Sequence, residues 1–320
     1  MKESKFGYAV ARTRSWENTL LDKNRLERLL AAPSLEETLG QLGDTIYAEA
    51  VGELQDPRDY ERALEQVLVH AFAAMAEMGH LDELKTLSWR YDFVNIKLIL
   101  RAKRREEEPR ELSPLGSIDP RPLIEGKWEV LPASWQEAVL LAEREEDPQK
   151  LDLVLDRTFF QEALKYSSNP YLALWWRLEI DLINIRTFLR LSALEDVGQE
   201  LWHQSRIQGG ELQGVWAEVA PGDLDGLQSR LAMGKFGDIY SQGLRAWRAE
   251  GSLNLWERLA DNMRVEYIKR AKYIPFGPEP LVAYILGREH ESKLLRIILA
   301  GKANNLAASE IRERLREVYG

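Results

Sequence analysis

Two Glu-x-x-His pairs, Glu77-Met78-Gly79-His80 and Glu200-Leu201-Trp202-His203, are the residues of this 320-residue chain whose types and spacing come nearest to metal chemistry. Four-helix di-iron and di-manganese proteins hold their metals with two such pairs and two further glutamates. The pairing works only where both side chains leave the same face of a helix, as positions i and i+3 do. Gly79 sits inside the first pair, and glycine at that place predicts a helix stop that takes His80 off the face of Glu77. A metal site built on Glu77, His80, Glu200 and His203 is one reading, and chance spacing is the other. A second trace of chemistry, Gly301-Lys302-Ala303, has the Gly-Lys pair of a phosphate loop but lacks the glycine five residues upstream and the Ser or Thr that should follow. No Gly-x-Ser-x-Gly nucleophile elbow is present. The chain has no cysteine, which removes thiolate nucleophiles, disulfide scaffolds, zinc ribbons and iron–sulfur clusters. Neither a cofactor nor a catalytic residue is expected.

Composition narrows the class further. The net charge of −9, with 45% hydrophobic and 30% charged residues, is that of a folded acidic protein and speaks against broad nucleic-acid binding. The charge is uneven: Arg90–Arg105 carries six cations against one acid, and Glu106, Glu107 and Glu108 follow it. Such a run is either a solvated helix end, where cations complement the helix dipole, or a surface for an acidic partner. The longest apolar stretches, Tyr171–Trp176 and Leu281–Leu286, fall well short of the roughly 20 residues that cross a bilayer. The N-terminus lacks the apolar core of an export signal, so a cytosolic location is expected. Ten tryptophans are many; Trp175 and Trp176 read as packing, while Trp128, Trp202, Trp216, Trp247 and Trp256 are open to a second reading as interface anchors.

The elements that must position these residues are helices. Leu64, Val67, Leu68, Ala71, Phe72 and Met75 keep one face apolar, and period-two alternation is absent. Asp56-Pro57, Asp119-Pro120, Asp147-Pro148 and Asn169-Pro170 each put a capping side chain before a proline, which loses no needed N–H at the first helical position. Ser34…Glu37 and Ser134…Glu137 have capping-box spacing. Gly79 and Gly301 are predicted stops. The expectation is an all-α protein of about a dozen helices, with irregular stretches at Glu106–Trp128, Ser205–Gly226 and Tyr273–Pro280.

A helical core also recurs. Asp92-x-x-Asn95-Ile96-Lys97 matches Asp181-x-x-Asn184-Ile185-Arg186, and more loosely Glu291-x-x-Leu294-Leu295-Arg296. Acidic segments precede the later copies, ending at Asp156 and Asp261. The period far exceeds that of tetratricopeptide or HEAT arrays and predicts three multi-helix lobes, at residues 1–112, 113–205 and 206–320. The repeated Asp92, Asn95, Lys97, Asp181, Asn184, Arg186, Glu291 and Arg296 have two readings. Buried polar groups that tie backbone together are one; a shared surface for a partner is the other.

The tripled core belongs to a larger set: Phe6-Gly7-Tyr8-Ala9 at the start, Glu279-Pro280 through Gly287-Arg288-Glu289, and Arg296 through Gly301-Lys302 followed by Leu306, Glu310-Ile311-Arg312 and Leu315. The set resembles the C subunits of archaeal and bacterial V-type (A-type) ATPases, related to the eukaryotic d subunit. Leu294, where Asn is frequent in that family, and the linker before Trp128 depart from the pattern. The resemblance implies an all-helical funnel of three related lobes in pseudo-threefold arrangement. It implies a non-catalytic central-stalk subunit, a socket between the central-axle subunits of the catalytic sector and the proteolipid rotor ring of the membrane sector. It transmits torque for ATP-coupled proton or sodium transport from the cytoplasmic face, with no nucleic acid and no membrane span of its own. The competing readings are an all-helical adaptor or scaffold unrelated to rotary ATPases, and the helical metalloenzyme above.

Overall fold

The structure, a computed structural model, describes residues 3–320 except His80, Ser168, 195–198, Pro221 and Lys235, with backbone alone at residues 3–5, 81 and 83. Among the described residues it is all helical. Five helices open the chain: α1 (Glu3–Glu17), α2 (Lys23–Ala31), α3 (Leu35–Gly40), α4 (Ala48–Gly52) and α5 (Tyr60–Glu77). A middle group follows: α6 (Leu81–Arg104), α7 (Pro120–Ile124), α8 (Ala133–Arg144), α9 (Pro148–Tyr166), α10 (Pro170–Leu191), α11 (Gln199–Ser205), α12 (Gln213–Glu218), α13 (Leu224–Leu231) and α14 (Gly237–Glu250). The last are α15 (Asn254–Lys269), α16 (Glu279–Ala303) and α17 (Ala308–Arg314).

The proline-marked starts form for the reason given by their chemistry. Asp119, Asp147 and Asn169 each accept a hydrogen bond from the first turn of α7, α9 and α10, with proline at the opening position. Asp56 does the same for a short 3₁₀ turn at Pro57–Asp59, and the Ser34 hydroxyl accepts from the Glu37 amide. Gly79 takes φ +76° just past α5, the left-handed backbone that glycine adopts without strain. Two expectations fail locally. Ser134 is not a cap: Pro132 precedes α8, whose helical backbone already begins at Ala133. Gly301 does not stop α16, which runs two residues further. A Cβ there would come within 2.5 Å of Ile311 on α17, so the glycine serves close helix packing. The irregular stretches also hold short helices, α7 and α12, because a proline cap or a buried tryptophan suffices to order one turn or two. The helix count is accordingly larger than a dozen.

Two compact units emerge. One combines Met1–Leu81 with Arg258–Gly320, and the other is Asp82–Glu257. Repeats and compact units count different things: the first copy of the repeated core is on α6, in the second unit. In the first unit α16 is the axis, packing against α1, α2, α3, α5 and α17. Its apolar side, Leu294, Leu295, Ile298 and Leu299, joins Leu26, Leu29, Leu30, Leu39, Leu42 and Leu64 in one buried cluster. In the second unit α9 packs between α8 and α10. Rings fill the space: Phe93 lies 4.5 Å from Trp135, and Phe159 meets Trp176 edge-on at 5.2 Å. Phe188, Trp202 and Trp216 form a further trio, edge-on in two of its pairs and tilted in the third. Trp128, Trp202, Trp216 and Trp256 are buried, and the Trp247 indole donates to Ser192. The first four rings are core, and Trp247 is half-buried.

Candidate functional site

The repeated acid and amide do not face an opening. They hold loops. On α6, the Asn95 amide donates to the Ser113 carbonyl at 2.9 Å while its oxygen accepts from the Ser113 amide at 2.8 Å. Four and five residues further along the returning chain, the Ser117 hydroxyl and the Ile118 amide donate to Asp92 at 2.7 and 3.0 Å. On α10 the wiring is the same. Asn184 exchanges two hydrogen bonds with Ile207, at 2.8 and 2.9 Å. The Glu211 and Leu212 amides, again four and five residues on, donate to Asp181 at 2.8 and 3.1 Å. Both loops place glycine third after the bonded residue, Gly116 and Gly210, since a Cβ would press into the carboxylate, reaching the Asp181 Cγ at 2.8 Å.

The third copy keeps the acid and changes the partner. Glu291, buried on α16, accepts from the Leu21 backbone amide and from the Tyr47 hydroxyl at 2.8 Å, and pairs with the fully buried Arg288. Arg288 also donates to Thr19 at 2.7 Å and Tyr284 at 3.3 Å. Burial opposes its charge, but Glu291, Tyr284 and Tyr47 together outweigh this and raise its pKa. At position 294 the returning chain meets the helix through apolar side chains, Leu315 and Val318, which pack against the same cluster. The position faces the leucine cluster and is leucine.

The bases are also engaged. Lys97 pairs with Asp156 at 2.5 Å, and Arg296 with Glu61 at 2.7 Å on the surface, while Arg186 lies half-buried on α10. Asp261, a focus that the repeat spacing touched but did not explain, is surrounded by Lys293, Arg264 and Arg316 at 2.6, 3.0 and 3.0 Å. Burial would raise its pKa, but these cations hold it below the usual carboxylate range. Much of the basic run is spent inside the second unit: Arg101 on Asp152, Lys103 on Glu143 at 2.7 Å, and Arg104 on the Ala142 carbonyl at 3.0 Å and that of Glu145, at the end of α8. Arg104 thereby satisfies carbonyls that a helix end leaves orphaned.

Further buried groups have displaced pKa values. Burial pushes Asp181 up to about 7 against the pull of its two amide donors, and it pushes His290 down to about 4. Asp92 is raised by burial too, with Ser117 and Ile118 opposing the rise.

Among the described residues no group of three His, Asp or Glu is placed to hold a metal. Glu77 is the last residue of α5, and His80 lies outside the described residues. Glu200 accepts from Gln204 at 2.7 Å, while His203 is exposed and its carbonyl accepts from Arg157. An open groove of about 960 Å³ in the first unit is lined by charges already joined, Arg25 with Asp44 and Arg14 with Glu17, both at 2.6 Å. No nucleophile–base pair converges on it. Among the described residues these polar groups tie loops and neighbouring helices together. Gly116, Gly210 and Tyr47 were missed by spacing, while Arg288 and Asp261 were seen in motifs without their role; a search for the loops' shared glycine would have found the first two.

The sequence pattern of the ATP synthase (C/AC39) subunit family matches residues 9–314, a span that contains all three copies of the tied core. The chain belongs to that family. The C subunit of the A-type ATP synthase of Methanocaldococcus jannaschii is 27% identical over 97% of this chain and 86% of its own. The C subunit of the V-type sodium ATPase of Enterococcus hirae is 27% identical over 96% of both chains. The A-type C subunit of Methanothermobacter thermautotrophicus is 26% identical over 93% of this chain and 84% of its own. Among the described residues no helix of this family member is long and apolar enough to cross a membrane.

Proposed function

We propose that the chain is a non-catalytic central-stalk subunit of a rotary V/A-type ATPase. It is a socket of three related lobes on the cytoplasmic face, linking the central-axle subunits to the proteolipid rotor ring. It passes torque between them during ATP-coupled proton or sodium transport. The observation that carries this reading is the family match across residues 9–314, with whole-length relatives named as ATP synthase and sodium ATPase subunits. The physical chemistry supports it. A part that transmits torque must resist shear, and this chain ties its long helices to returning loops through buried, mutually satisfied polar pairs, which fix geometry more sharply than apolar contact alone.

The test is reconstitution. Purified chain added to a complex lacking this protein is expected to restore ion pumping coupled to ATP hydrolysis, and to co-elute with both axle and ring. Chain that is helical by circular dichroism yet binds neither assembly refutes the proposal.

A further inference from the structure

The two tied loops differ at one telling position. In the first loop the residue four after the Asn-bound one is Ser117, whose hydroxyl donates to Asp92; in the second it is Glu211, which offers a backbone amide and a second carboxylate. Asp181 is 2% exposed and has no side-chain donor among its hydrogen bonds. The groups facing it are few. On its own helix, Arg177 donates to the Gly209 carbonyl at 3.0 Å and lies 3.7 Å from Glu211; it makes no hydrogen bond to Asp181, though its charge opposes the rise that burial and Glu211 produce. On α14, Tyr240 is buried and its own pKa is raised by burial and then by the Asp181 charge. A buried carboxylate with a second carboxylate beside it and no cation bonded to it binds a proton readily.

We propose that residues 207–212 form a proton-operated latch with the Asp181 carboxyl as its keystone. Ionised, the carboxylate accepts from both the Glu211 and the Leu212 amides. Protonated on Oδ1, it keeps Oδ2 as the carbonyl acceptor for the Glu211 amide, and the Leu212 amide is left chiefly with its longer 3.3 Å contact to that same oxygen, so the second bond weakens. Asn184 continues to hold Ile207 in either state, so the loop loosens at its 210–212 end. The burial that lifts Asp181 to about 7 places the change near neutral pH. The first loop, with its serine donor, stays latched over the same range. This inference does not rest on the central-stalk reading.

The test is two-dimensional NMR of the labelled full chain from pH 5 to 9, following the amides of Glu211 and Leu212, with Ser117 and Ile118 as internal controls. The expected result is a shared midpoint near pH 7 at Glu211 and Leu212, absent from Asp181→Asn, and faster hydrogen exchange at one of the two below it. One ordinary hydrogen bond corresponds to about tenfold in exchange. Glu211→Ser, which restores the first loop's donor, should lower the midpoint by about one pH unit. Amides at 211 and 212 that do not titrate between pH 5 and 9 overturn the proposal, as does an unchanged midpoint in Glu211→Ser. If Asp181→Asn fails to fold, the wild-type titration and the Glu211→Ser shift decide the matter alone.

Discussion

Leu294 and Asn184 occupy the same place in two copies of one pattern, and exchanging their chemistry tests whether the returning loop determines the residue. Leu294 is 2% exposed among leucines of the first unit. Its replacement by asparagine removes about 2 kcal/mol of apolar burial. It also places an amide in an apolar cluster, and leaving it unpaired there costs about 1–3 kcal/mol. The expected loss is about 3–5 kcal/mol, or a fall in Tm of about 6–20 °C at roughly 2–4 °C per kcal/mol. The reverse change, Asn184→Leu, leaves the Ile207 amide and carbonyl unpaired in a buried setting and should cost about 2–5 kcal/mol through the second unit. Urea denaturation followed by circular dichroism measures both. The reasoning fails if Leu294→Asn lies within about 1 kcal/mol of wild type, for then position 294 has a polar partner and the third copy is wired like the others.

Gly210→Ala should destabilise by about 1–3 kcal/mol, because its Cβ would press on Asp181 and lie 3.2 Å from Ile180; Gly214→Ala, which meets nothing within 4 Å, is the control in the same melt. Arg288→Met leaves Glu291 buried without its cation and should cost about 3–5 kcal/mol, read as a denaturation midpoint. His290 has a folded pKa near 4 against a usual value near 6.5. Its contribution is therefore complete above pH 6.5 and is lost as pH falls toward 4. His290→Gln, which keeps a donor for the Glu317 carbonyl, should flatten that arm of the stability–pH curve. Asp181 runs the other way: with its folded pKa raised, its contribution is full below its ordinary value near 4 and is lost as pH rises to about 7. Subtracting the Asp181→Asn curve from wild type should isolate a downward slope over that window.

What the sequence made legible were features whose cause is local. Asp119, Asp147 and Asn169 before prolines marked helix starts because a cap needs only a side-chain oxygen and the next turn. The recurring Asp-x-x-Asn was visible because both residues sit on one helix. Their partners were not. Ser113 lies 18 residues from Asn95, Ile207 lies 23 from Asn184, and the segments Ser113–Ile118 and Ile207–Leu212 share little beyond a glycine. The basic run on α6 was equally opaque, since Asp152 and Asp156 approach it only when α9 packs nearby. The Glu-x-x-His pairs show the reverse error: a spacing that chemistry permits, on side chains that the fold does not bring together as a metal group among the described residues. Leu294 was read as a weakened copy, whereas leucine suits a position that faces an apolar cluster.

The first unit draws Leu21 and Glu291 together across 270 residues of chain, and this has a consequence for synthesis. Asp82–Glu257 is continuous and can fold as soon as it leaves the ribosome. The α2 leucines cannot be covered until α16 has been made, which at roughly 5–20 residues per second is a wait of about 15–55 s. Throughout that interval Leu26, Leu29 and Leu30 remain open to chaperones or to another nascent chain. The middle of this protein is therefore finished first, and its beginning is completed by its end.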